Sequence, residues 1–343
     1  MPTGFLRMIG LPSLEVGAVS RAKEGLGNIE ISMVLDTTGS MCNPSCAKIE
    51  ALREHSEGFI NTIFANNPAE RVSFNVVPYD NHVNIGSWMF DRLSGVQRAP
   101  DEAPCMRIDI EDDLVARPGT VPNYPADGTR EAIDDEAYRW SIGFNGWWYF
   151  WQRQPVENVC PSDSAATVRY LSTDQAELQT MMRNLNADGN TATYFGMQWG
   201  LAMLNPATRP LVDEMANPAV GLVSPSMRGR PADWTDSQTD KYLILFTDGA
   251  MNSNIDFYTP YGEQEPSMAT LKQAFRDQCD FARRNGVIVF AIGFELPPGA
   301  SSEMTELLRN CASEGRYYPA DRDTLENAFS NIATDIQRLK LIN

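Results

Sequence analysis

Residues 31–40 read I-S-M-V-L-D-T-T-G-S, an aliphatic run that stops at an aspartate. A near-continuous apolar run predicts a strand buried on both faces, as in a parallel sheet, with a tight loop after it. Similar runs recur at 72–77 (V-S-F-N-V-V), 242–246 (Y-L-I-L-F) and 287–294 (V-I-V-F-A-I-G-F). Between them the period lengthens to that of amphipathic helices. Residues 48–65 place Ile49, Leu52, Phe59, Ile60 and Ile63 on one face, and residues 173–186 turn Leu178, Met181, Met182 and Leu185 inward behind Thr173 as N-cap. Further helices are expected over 194–204, over 267–285 with a stop at Gly286, over 302–312 and over 324–340, with a short strand at 316–318. Strands alternating with helices through right-handed crossovers give an α/β fold, a doubly wound, mostly parallel sheet with helices on both faces.

Two stretches depart from this rhythm. Residues 1–26 are expected to form a peripheral strand and connector, with the alternation of L-E-V-G-A-V-S at 14–20 suiting a half-exposed strand. From about 88 to 164 the main domain, 27–343, carries an insertion. Its part at 101–136 is acidic and rich in proline and glycine, and 140–151 is dense in aromatic residues, which suit a small core anchoring the insertion more than an exposed carbohydrate or protein contact. A bridge between Cys105 and Cys160 would close it into a subdomain. The connection before Asp240, with its basic M-R-G-R-P, reads as a surface loop whose charges have no evident role.

The first apolar run delivers Asp36, Thr38 and Ser40 at alternate positions. A tight loop can turn one carboxylate and two hydroxyls to one point, which suits a hard cation that prefers oxygen. D-T-T-G-S also makes an ordinary strand-to-helix turn with a hydroxyl as helix cap, so the loop alone does not decide. Two other stretches shift the balance. K-Y-L-I-L-F-T-D-G-A at 241–250 ends a second strand at Asp248 and Gly249, and D-G-N-T-A-T-Y-F-G at 188–196 is a loop carrying Thr191 and Thr193. Such loops meet at the carboxyl ends of parallel strands, where open α/β sheets place their ligands.

Composition narrows the partners. With 43% hydrophobic and 21% charged residues, the 343-residue chain is that of a globular protein with a large core. A net charge of −17 argues against nucleic acid and anionic membrane as partners. No apolar run approaches the roughly 18 to 20 residues of a membrane span, and residues 1–26 lack the order of a signal peptide, so any anchor is expected outside this sequence. The six cysteines include a C-x3-C at Cys42 and Cys46, but His55 and His82 lie outside any ligand cluster and zinc fits poorly. Cys279 lies late in one predicted helix and Cys311 at the end of the next, so the two can face each other; with Cys105 paired to Cys160, this leaves Cys42 for Cys46.

The ordered set Asp36-x-Thr38-x-Ser40, Gly189-x-Thr191 and Thr247-Asp248-Gly249 resembles the metal-ion-dependent adhesion site of von Willebrand factor A domains. There the first motif usually reads D-x-S-x-S, and Thr38 keeps a hydroxyl in place of the first serine. Thr191 matches the family's loop threonine better than Thr193 does. The resemblance covers residues from about 27 to the C-terminus, and implies Mg²⁺, Mn²⁺ or Ca²⁺ held by Asp36, Thr38, Ser40, Thr191 and Asp248, with a position left for an acidic side chain of a protein partner. The stretch M-V-L-D-T-T-G-S-M followed by G-N-T-A-T-Y-F-G-M-Q-W-G-L-A-M-L-N-P is similar to the TadG-like pilus-assembly proteins of bacteria. That resemblance implies an extracytoplasmic, disulfide-permitting location and a part in tight-adherence pili, with pilus or envelope components as partners. The alternatives are a structural pilus component with a vestigial motif and a metal-dependent hydrolase. Against the latter, no histidine base lies near the motifs, and the expectation is a non-enzymatic module.

Overall fold

The computed structural model describes residues 27–94, 104–105, 117–121, 138–144, 149–155, 160–161, 164–251, 267–296 and 301–342. The peripheral strand expected at 14–20 and most of the acidic stretch lie outside them.

Among the described residues, six strands form the sheet: β1 (Asn28–Asp36), β2 (Val72–Tyr79), β5 (Arg169–Ser172), β6 (Thr239–Thr247), β7 (Ile288–Phe294) and β8 (Tyr317–Ala320). Their order is β5-β2-β1-β6-β7-β8. All pair in parallel except β5, which runs antiparallel to β2 at the edge. The doubly wound, mostly parallel sheet expected from the hydrophobic pattern is therefore the one observed. A separate hairpin pairs β3 (Tyr138–Phe144) with β4 (Tyr149–Pro155), spanning the aromatic stretch.

Within each buried strand, alternate residues serve opposite layers. Ile29, Ile31, Met33 and Leu35 of β1, Tyr242, Ile244 and Phe246 of β6, and Phe290, Ile292 and Phe294 of β7 share one apolar cluster. Helices α1 (Ala47–Ala65), α3 (Gln175–Asn184) and α8 (Leu325–Ile342) cover it through Leu52, Phe59, Met182, Phe329 and Ile332. Val34, Leu243, Leu245, Val289 and Ala291 face the other way. There they meet α2 (Ser87–Ser94), α4 (Thr193–Ala202), α5 (Arg209–Met215), α6 (Met268–Arg284) and α7 (Ser301–Cys311). Buried on both faces, these strands lack the apolar–polar alternation of half-exposed ones.

Several local expectations are corrected. The cap of α3 is Asp174 and not Thr173: its Oδ1 accepts from Ala176 N at 2.9 Å and Glu177 N at 3.0 Å. Where the regular pattern was expected to stop, α2 sends Met89 and Phe90 into the core. The connection before β6 is not a bare surface loop, since it contains α5 and buries Val212, Met215 and Met227. Its basic run has a role as well. Arg230 Nη1 donates to Glu30 Oε1 at 2.7 Å, while Lys241 Nζ donates to Glu30 Oε2 at 2.6 Å, so one buried carboxylate is matched by two cations.

The cysteines pair as Cys42–Cys46, Cys105–Cys160 and Cys279–Cys311. Among the described residues, no helix is long and apolar enough to cross a membrane.

Candidate functional site

The order β2-β1-β6 sets the location. The chain leaves β1 for β2 on one side and later returns to place β6 on the other, so the carboxyl ends of β1 and β6 flank the point where the winding reverses. Loops diverging there leave a crevice, the usual ligand position in such sheets. Asp36 closes β1, and Asp248 follows the last residue of β6.

The loop at 188–192 is tied to both neighbouring strand ends by backbone hydrogen bonds. Asp188 N donates to Thr37 O at 2.9 Å, Gly39 N to Gly189 O at 3.0 Å, and Ala192 N to Asp80 O at 3.0 Å. Gly189 sits at φ +73°, and a Cβ there would stand 2.8 Å from Asn81 Nδ2, so the tight approach needs glycine. This stitching carries Thr191 to the first loop.

All five residues singled out in the sequence come together. Asp36 Oδ1 accepts from Thr38 N at 3.0 Å and from Thr38 Oγ1 at 2.6 Å. Thr38 Oγ1 lies 3.0 Å from Ser40 Oγ, Thr191 Oγ1 donates to Thr38 Oγ1 at 3.4 Å, and Ser40 Oγ donates to Asp248 Oδ1 at 2.6 Å. Asp36, Thr38, Thr191 and Asp248 are buried and Ser40 is exposed, so the oxygens form a chain reaching solvent at Ser40. Thr193 stands behind this row, its Oγ1 3.3 Å from the Tyr79 hydroxyl.

Three participants were not recognised from sequence. Tyr79, opposite Asp36 in the β1–β2 register, donates to Asp36 Oδ2 at 3.3 Å, and Thr247 Oγ1 donates to the same oxygen at 2.6 Å. Lys48, in the first turn of α1, donates to Asp248 Oδ2 at 2.7 Å. Tyr79 and Lys48 are remote in sequence from the groups they serve. Thr247 stood in the Thr247-Asp248-Gly249 motif, but spacing alone does not assign its hydroxyl to Asp36.

Burial, and next the Asp248 charge, push the Asp36 carboxyl up to about 6 against the pull of its Thr247 and Thr38 hydrogen bonds. Burial also raises Asp80, beside the loop, well above the usual carboxylate range. Burial drives His82 down to about 3, and its ring stacks on Phe195 at 4.2 Å, which makes it a neutral packing residue. His55 is partly exposed on α1.

Among the described residues, no group of three or more His, Cys, Asp or Glu side chains converges. The converging donors are instead two aspartates and three hydroxyls, an all-oxygen set whose chemistry fits a hard divalent cation. A hydroxyl that gives its proton to a carboxylate keeps lone pairs for such an ion, and Thr38 and Ser40 both do so.

No family model matches the chain, and no curated protein does. Solved structures do. The vWF domain of the type V pili tip protein Mfa5 from Porphyromonas gingivalis is 13% identical, with 95% of this chain and 98% of that chain covered and a TM-score of 0.45. The pilus adhesin SpaC from Lactobacillus rhamnosus GG is 15% identical over 92% of this chain and 31% of its own, with a TM-score of 0.46. The PilB minor pilin from Streptococcus sanguinis is 14% identical over 93% of this chain and 63% of its own, with a TM-score of 0.42. These likenesses are too remote to transfer a function, which has to come from the side chains of the crevice.

Proposed function

We propose that this chain is a von Willebrand factor A domain of the TadG-like kind, an extracytoplasmic adhesion and assembly module of a bacterial tight-adherence pilus. It grips a protein partner through Mg²⁺, Mn²⁺ or Ca²⁺ held by Asp36, Thr38, Ser40, Thr191 and Asp248. The sequence resemblance supports the pilus setting, and the oxygen-rich site supports the ion-dependent grip.

The observation that carries the grip is the convergence of Thr38, Ser40 and Thr191 hydroxyls between two buried aspartates. Neighbouring ligands of an octahedral ion at 2.0–2.1 Å stand about 2.9 Å apart. Thr38 Oγ1 and Ser40 Oγ are 3.0 Å apart, a spacing that serves a hydrogen bond and a shared ion equally. When bound, the ion supplies a Lewis-acidic position for a carboxylate oxygen of the partner. This chain's residues do the rest. The aspartates hold the hydroxyls in place as proton acceptors, Tyr79 and Thr247 hold Asp36, and exposed Ser40 marks the side from which a partner arrives. Among the described residues the Ser40 hydroxyl pairs with Asp248 Oδ1 and Thr38 Oγ1, an arrangement that suits an ion ligand better than a base-activated nucleophile.

Calorimetric titration with Mn²⁺ tests the reading. Asp36→Ala and Asp248→Ala are expected to lower affinity by about a hundredfold or more, since loss of groups that merely orient ligands already costs 10- to 100-fold. Far-ultraviolet circular dichroism should stay that of the parent. Unchanged affinity in both folded variants would place ion binding elsewhere.

A further inference from the structure

Resting on the metal reading above, we infer that Lys48 sets the charge of the crevice, weakening its hold on the ion and tuning the loaded site to an acidic partner.

A lysine in the first turn of a helix opposes the positive end of the helix dipole, and α1 starts one residue earlier, at Ala47. Local helix energetics therefore do not explain it. Its partner does: the ammonium reaches across the crevice to Asp248 Oδ2 at 2.7 Å, while Oδ1 of that carboxylate takes the Ser40 hydroxyl at 2.6 Å. One carboxylate thus links the ammonium to a ligand hydroxyl. The Asp248 side chain is fully buried and that of Lys48 is 19% exposed, so the pair lies where solvent screens weakly.

The charges then have a consequence. Asp36 and Asp248 together balance a divalent ion, and the Lys48 ammonium adds one positive charge to the loaded crevice. A carboxylate approaching it is attracted by the ammonium as well as by the ion. Without the ion, Lys48 is the counter-charge that Asp248 retains, so an incoming cation meets a carboxylate already partly neutralised. Both effects act on a chain whose net charge of −17 would otherwise repel an acidic partner.

Mn²⁺ titration of the parent, Lys48→Met, Lys48→Gln, Lys48→Arg and Asp36→Ala separates the possibilities. Lys48→Met, or Lys48→Gln if Met does not fold, is expected to bind Mn²⁺ about tenfold more tightly, equivalent to about 1.4 kcal/mol. Its Mn²⁺ complex should take up acetate, the carboxylate probe, several-fold more weakly, read from water-proton relaxation. Lys48→Arg should stay near the parent in both. Thermal denaturation adds an independent readout: the neutral variants should melt lower than the parent in chelator and recover when saturated with Mn²⁺, whereas a purely structural ion pair would lower both melts alike. Equal or weaker Mn²⁺ affinity in the neutral variants, or an equal loss in both melts, overturns the inference while the metal reading stands. Mn²⁺ binding by the parent that Asp36→Ala leaves untouched would remove the metal reading, and this inference with it.

Discussion

Asp36 concentrates the chemistry of the crevice in one side chain. It is fully buried, yet Thr38 N, Thr38 Oγ1, Thr247 Oγ1 and Tyr79 Oη all donate to its two oxygens. Those donors favour the charged form, while burial and the neighbouring Asp248 favour the protonated one, and the second pair prevails, bringing the group to about 6. A carboxyl raised in the folded state contributes stability that is complete below its unfolded value, near 3.8, and is lost as pH rises through about 6. Ion-free protein should therefore be strained by Asp36 at neutral pH. Asp36→Asn is expected to melt higher than the parent in chelator at pH 7.5, and the difference should close by pH 4, as followed by circular dichroism. An Asn variant that melts lower at pH 7.5 would mean that its lost hydrogen bonds outweigh the charge.

At the scale of elements, α4 explains why the stretch F-G-M-Q-W-G carries two glycines. This helix is buried all round and lies directly over β1 and β2. A Cβ on Gly200 would stand 2.4 Å from Val34 Cγ2, and one on Gly196 would stand 2.6 Å from Tyr79 Cδ1. The missing side chains let the backbone close onto the sheet, and α4 begins two residues after Thr191, so its seating fixes where the loop threonine points. Gly200→Ala is expected to cost about 1–3 kcal/mol in urea denaturation, the range for overpacking a filled core, despite alanine's better helix propensity. A neutral or stabilising result would show that α4 can shift outward.

Over the whole molecule, the Cys279–Cys311 bridge ties α6 to α7 across the segment containing β7, with a sequence separation of 32. Closing a loop of that length restricts the unfolded chain by about 4 kcal/mol on chain-entropy grounds. The double variant Cys279→Ser/Cys311→Ser should lose stability of that order in urea, with Mn²⁺ affinity unchanged because the bridge lies in the layers around α6 and α7 and not among the crevice oxygens. Lost ion binding in a folded double variant would connect that layer to the crevice.

What the sequence by itself determined is what short-range physics controls. The apolar runs marked the central strands because a parallel strand is buried on both faces, and the helical period marked α1 and α6 because an amphipathic face has to be covered. Spacing put Asp36, Thr38 and Ser40 in one tight loop. Tertiary structure decided the rest. Whether Thr173 or Asp174 caps α3 depended on how the chain leaves β5, with Ser172 Oγ accepting from Asp174 N at 3.3 Å. The short edge strand β5 has four residues, too few to show a period, and its antiparallel place came from pairing with β2. Tyr79 reaches Asp36, Arg230 reaches Glu30 and Lys48 reaches Asp248 only because the order of strands in the sheet brings them together. Partners some 40 to 200 residues apart leave no trace in local spacing, since they are chosen by packing of the whole sheet and its two helical layers.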